Sequence, residues 1–96
     1  MAHYDLVAVK ASIASRGLDA FTKMALLGID QIGLSQAEGL GVVLSLANSM
    51  FFKSMTTHSD HRVWQDVYHA LCPNGKTAYI KVTIQVGSTV IQFKEK

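Results

Sequence analysis

The strictest constraint in this chain is the alternation running from Ala78 to Val86. Even positions carry Ala78, Ile80, Val82, Ile84 and Val86; odd positions carry Tyr79, Lys81, Thr83 and Gln85. A period of two places these sets on opposite faces of a β-strand, with the apolar set buried. Gly87-Ser88 follows and suits a two-residue type II′ turn, with glycine where φ must be positive. The turn predicts a second strand in register, pairing Val86 with Thr89, Ile84 with Ile91, Val82 with Phe93 and Ile80 with Glu95. The solvated face then pairs Tyr79 with Lys96, Lys81 with Lys94 and Thr83 with Gln92. Lysines without a carboxylate among them attract phosphates, and a tyrosine ring gives a base a surface to stack on. Lysines also protect exposed sheet edges, so the pattern alone leaves both roles open.

Upstream, the period changes. Leu6, Val9 and Ile13 recur at helical spacing, and Gly17 stands where a helix ends. A second helix is predicted after Thr22, running through Met24, Leu27 and Ile29 to Gly33. Ser35-Gln36-Ala37-Glu38 is a capping box opening a third, with Leu40, Val43, Leu44 and Ala47 on one face and Asn48 at its end. From Ser49 the residues favour strands: Met50 to Thr57, then a polar loop from Thr57 to Arg62, then Val63 to Tyr68. Pattern does not decide which face of the first strand is buried. Pro73-Asn74-Gly75 marks a turn within a loop from His69 to Lys76. The fold class is therefore α+β, with N-terminal helices on a mostly antiparallel sheet, in a single domain over residues 1–96.

Composition supports a globular domain: 49% of the 96 residues are apolar and 17% charged, enough apolar surface to fold around one core. No apolar run reaches the roughly 18 residues of a membrane span, and the first residues lack a signal-peptide pattern. With Cys72 as the single cysteine, a reducing, cytoplasmic setting and no membrane partner are expected. The net charge of +2 is small, but residues 1–48 sum to −1 and residues 49–96 to +3, which points weakly to an anionic partner.

Chemistry-bearing residues concentrate in the basic half. His58-x-x-His61 followed by Cys72 falls short of a structural zinc site, because the paired-ligand spacing is missing and there is one sulfur. No metal and no cofactor are expected. Cutting RNA without a metal needs a proton acceptor, a cation for the phosphorane and an acid for the leaving oxygen. Imidazoles serve as proton acceptors near neutral pH, which makes His58 and His61 candidates; Lys53 and Lys81 supply charge, and Tyr79 can donate a proton.

Several blocks carry a resemblance. Phe51-Phe52-Lys53-Ser54-Met55-Thr56-Thr57, Ser59-Asp60-His61, Trp64-Gln65-Asp66-Val67-Tyr68, Tyr79-Ile80-Lys81-Val82-Thr83 and Phe93-Lys94-Glu95-Lys96 closely resemble the MqsR (motility quorum-sensing regulator) toxins. Leu26, Leu27, Gly33 and Leu34 match more loosely. The resemblance implies a RelE-like fold and a type II toxin–antitoxin function. It implies a ribosome-independent, metal-independent endoribonuclease that cleaves single-stranded mRNA, leaving 2′,3′-cyclic phosphate and 5′-hydroxyl ends. A cognate MqsA-like, DNA-binding antitoxin would hold it in check. By the same resemblance Lys53, Gln65 and Tyr79 are the catalytic candidates, with Met55 beside them. His58, His61, Lys81, Lys94 and Lys96 complete the expected RNA-binding set. The chain departs from a family member at Phe52 and His58, which stand in place of tyrosines, and from His69 to Thr77, which is one residue longer. Alternatives are a non-catalytic RNA- or ribosome-binding module and a protein-interaction sheet.

Overall fold

The helices begin where the caps put them. In a computed structural model describing all 96 residues, α1 spans Leu6–Arg16, α2 Lys23–Ile32 and α3 Gln36–Leu44. The Thr22 hydroxyl accepts the Ala25 N–H at 3.0 Å. At the start of α3 the Glu38 N–H donates to Ser35 Oγ and the Ser35 N–H to Glu38 Oε1, closing the box. Four strands follow: β1 (Phe51–Thr56), β2 (Trp64–Leu71), β3 (Thr77–Gln85) and β4 (Ser88–Glu95). They form an antiparallel meander in the order β1-β2-β3-β4, so the architecture is the expected α+β.

The helices cover the inner face of the sheet. Val9, Ile13, Ile29, Ile32 and Val43 meet Tyr68, Ile80, Val82, Ile91 and Phe93 there, all nearly or fully buried. Each such side chain contributes about 1.5–3 kcal/mol by leaving water. In α2 the packed stripe is Ala25, Gly28, Ile29 and Ile32, while Met24 and Leu27 remain exposed. Small residues do the packing because α2 lies against the edge strand: a Cβ on Gly28 would run into the Phe93 carbonyl. The preceding residues add to this edge cover, with the Thr22 N–H donating to the Ile91 carbonyl at 3.1 Å. At α3, the expected helix to Asn48 stops at Leu44, and Ala47 is exposed.

The hairpin turn differs from expectation. Its central residues are Val86 and Gly87, with φ of 51° and 75°, and Gln85 pairs with Ser88. Two positive φ values are the signature of a type I′ turn, not type II′. Val82 therefore pairs with Ile91, Ile80 with Phe93 and Tyr79 with Lys94, while the Lys96 N–H bonds the Thr77 carbonyl. A shift of two residues keeps every side chain on its expected face. Burial outweighs turn preference here, since the other register would set Glu95 opposite the fully buried Ile80. In the register observed, Glu95 stands opposite Ala78 at the sheet's end, where it stays exposed.

Asp66, on the inner face of β2, is 0% exposed. Its carboxylate accepts the His3 and Tyr4 backbone N–H groups at 2.9 and 2.8 Å and the Ser54 hydroxyl at 2.7 Å. The N-terminal strap, β1 and β2 thus converge on one buried charge.

Two outcomes follow for stability. Val86 is fully exposed and β-branched in a left-handed conformation, so Val86→Asn should stabilise the protein by about 1 kcal/mol, a rise of about 4–8 °C in Tm by calorimetry. Asp66→Ala strands three donors and should destabilise by about 2–4 kcal/mol in urea unfolding, with the His3 and Tyr4 amides losing hydrogen-exchange protection.

Candidate RNA-binding face

Strand alternation builds the outer face, and one irregularity adds to it. The register of β1 on β2 shifts between Phe51 and Lys53, a β-bulge. Phe51 turns inward with its ring edge-on to Tyr68, and Ser54 turns inward to Asp66. The bulged strand sends both Phe52 and Lys53 outward, which strict alternation forbids. Phe52 stacks on His69 at 4.2 Å between ring centroids, and the Lys53 ammonium lies 5.6 Å from the Phe52 ring.

Three cross-strand rows make up the face. One holds Phe52, His69, Tyr79 and Lys94: His69 pairs with Tyr79, Tyr79 with Lys94, and the Lys94 ammonium is 5.1 Å from the Tyr79 ring. The middle row is Lys53, Val67, Lys81 and Gln92. Val67 is fully buried yet takes no part in the helix-side core, so it is the apolar floor between two lysines. In the third row Met55 stands opposite Gln65. Beyond it the β2–β3 ladder stops at Asp66 and Val82, and Thr83 Oγ1 donates to the Trp64 carbonyl at 2.6 Å. None of the four strands contributes a carboxylate to this face: Asp66 points inward, and Glu95 alternates to the inner side.

The structure thus gathers Lys53, Met55, Gln65, Tyr79, Lys81 and Lys94 on one surface. They frame a patch rather than touch. From strand spacing, the Cα atoms of Lys53 and Tyr79 stand roughly 12 Å apart, with Val67 and Lys81 between them. Lys96 lies past the end of β4. His58 and His61 sit exposed in the β1–β2 loop, which Thr57 and Asp60 close through Thr57 Oγ1 donating to the Asp60 carbonyl at 2.8 Å. His58, His61 and Cys72 do not converge; no group of three such side chains is close enough to hold a metal. Cys72 is buried, and burial pushes its thiol pKa up.

His69 was not among the expected site residues, because the stretch from His69 to Lys76 reads as a loop. β2 instead continues to Leu71, pairing Ala70 with Ala78 and Leu71 with Thr77, and the turn contracts to Cys72–Lys76. The alternation Gln65, Val67, His69 carried the available signal. His69 Nε2 is buried without a hydrogen-bond partner. Burial, then the charge of Lys96, lowers the His69 pKa, so the ring is neutral at pH 7. Burial, then the charge of Lys94, lowers that of Lys81.

Fold and face together define a small α+β domain that presents a cationic, partly aromatic sheet surface suited to a polyanionic chain with stacking bases. The family model described as "Motility quorum-sensing regulator, toxin of MqsA" matches residues 1–95. The chain is also 39% identical over 94 residues to the mRNA interferase toxin MqsR of Escherichia coli (strain K12), covering 98% of this chain and 94% of that relative. It belongs to the MqsR toxin family.

His69 carries a test. Its proton affinity falls on folding, so stability should drop as pH falls from about 6.5 towards the lower folded pKa and level off beneath it. NMR titration should place the His69 midpoint below the free imidazole value of about 6.5, and Phe52→Ala, which uncovers the ring, should raise it.

Proposed function

We propose that the outer face binds single-stranded mRNA and cleaves its backbone, making this protein the toxin of a type II toxin–antitoxin pair that acts in the cytoplasm. The reading is carried by the carboxylate-free face, on which Lys53, Lys81 and Lys94 surround Phe52, Tyr79 and the buried Val67. Membership of a family described as the toxin of MqsA, and a relative named as an mRNA interferase, support the substrate and an MqsA-like antitoxin partner.

In the mechanism proposed, the ribose 2′-hydroxyl attacks the adjacent phosphorus and the P–O5′ bond breaks. The products are a 2′,3′-cyclic phosphate and a 5′-hydroxyl. Lys53 offsets the charge growing on the phosphorane, where a fixed cation is worth more than in water. Gln65, opposite Met55, orients the phosphate by donating to a non-bridging oxygen. Tyr79 supplies the proton for the 5′-oxygen. A proton acceptor is also needed, and free lysine or tyrosine titrates at about 10. Lys81 answers best: burial and Lys94 both lower its pKa, and it lies between Lys53 and Tyr79. His58 and His61 are too exposed to be held in place.

Lys53→Ala and Tyr79→Phe should each cut the cleavage rate of a single-stranded oligonucleotide by about 100-fold or more. Lys81→Arg puts a group there that does not release its proton, so RNA binding should be retained while cleavage slows by at least about 100-fold. Cleavage should persist in EDTA. A purified protein that binds the oligonucleotide and leaves it intact would be the non-catalytic module instead.

A further inference from the structure

Beside the patch assigned to cleavage, the face has a concavity. Where α2 overhangs the β4 edge, a cleft of about 400 Å³ opens between the helix and the outer surface of the sheet. Its lining includes Met24 and Gln31 from α2, Tyr79 and Lys81 from β3, and Gln92 and Lys94 from β4. The missing side chain at Gly28 lets helix and strand close its base, because a Cβ there would meet the Phe93 carbonyl.

Two features of the lining are not accounted for by packing. Met24 is 71% exposed on α2, beside the less exposed Leu27, and it alone of the two lines the cleft. The side-chain amides of Gln31 and Gln92 make no hydrogen bond in the protein, although they come from different elements and line one space. A carboxamide offers a donor and an acceptor side by side, the pair that matches the edge of a nucleobase. Beyond them Lys94 provides a cation, while Tyr79 and Met24 provide flat or polarisable apolar surface.

We propose that this cleft is the specificity pocket of the RNA site. One unstacked base enters between Met24 and Tyr79, Gln31 and Gln92 read its edge, and Lys94 holds the adjoining phosphate. The base so read is the neighbour of the scissile bond, since Tyr79 and Lys81 border both the cleft and the central patch. The inference rests on RNA being the ligand of the outer face. It adds a residue-level source of sequence preference, located on α2, to that reading.

Titrating the intact protein with each of the four nucleoside 5′-monophosphates, and with ribose 5-phosphate as control, tests the pocket without any cleavage. At least one nucleotide should shift the Gln31 and Gln92 amide signals and the Met24 methyl signal in NMR, with the sugar phosphate affecting only lysine signals. Equal responses to nucleotides and ribose 5-phosphate, or amides that no nucleotide moves, would overturn it. Against a panel of oligonucleotides varied at one position beside the cut, Gln31→Ala and Gln92→Ala should reduce the ratio of best to worst kcat/KM by about 10-fold. Ratios unchanged from the unmodified protein would also overturn it. If the unmodified protein cuts none of the panel, the nuclease reading falls while the nucleotide titration still decides the pocket.

Discussion

The structure turns on one buried carboxylate. Asp66 lies wholly inside the protein, and a charge there is tolerable only when its oxygens are filled. The donors that fill them come from two places, the backbone of the N-terminal strap and the Ser54 hydroxyl on β1, with none from the helical core. The strap is thereby pinned across the start of β2, with His3 stacked on Trp64 at 5.0 Å and the Tyr4 hydroxyl donating to the Trp64 carbonyl at 2.9 Å. Pinning Ser54 inward also fixes the phase of β1. Once Asp66 faces in, alternation leaves Gln65 and Val67 no option but the outer face, so an interior ionic constraint orients the exterior site.

Two departures from a regular sheet give that exterior its shape. The bulge at Phe52 brings an aromatic ring up beside Lys53 and starts the row that continues through His69 and Tyr79. At the opposite edge, Gly28 lets α2 approach β4 closely enough that the helix forms a wall above Tyr79, Gln92 and Lys94. A flat basic sheet would attract phosphate without distinguishing one strand position from another. Here an aromatic ring stands near the β1 edge and a helical wall beside the β4 edge. The burial that lowers the Lys81 pKa and keeps His69 neutral comes from the same crowding.

Much of the fold is legible in the residues because it is locally determined. The Thr22 cap, the Ser35–Glu38 box and the end of α2 at Gly33 depend on groups within four residues of one another. The two faces of β3 and β4 follow from their period alone, and they survive even though the turn is at Val86-Gly87 and the register shifts by two. Features set by distant contacts are not legible. Met24 and Leu27 read as core residues, but the packing of α2 on an edge strand selects Ala25 and Gly28. His69 reads as loop because only its pairing with Tyr79 makes it strand.

Residue order alone thus set the α+β class, the caps, and a face carrying Tyr79, Lys81 and Lys94; family resemblance in its motifs added Lys53, Gln65 and Met55. How these residues share one surface, why Lys53 and Tyr79 flank Lys81, and that α2 adds Met24 and Gln31 beside them came from packing in three dimensions. The difference is one of range. Periodicity and capping are fixed by neighbours along the chain, whereas a bulge, a strand register and a helix overhanging an edge are settled by which arrangement best buries the core and satisfies Asp66.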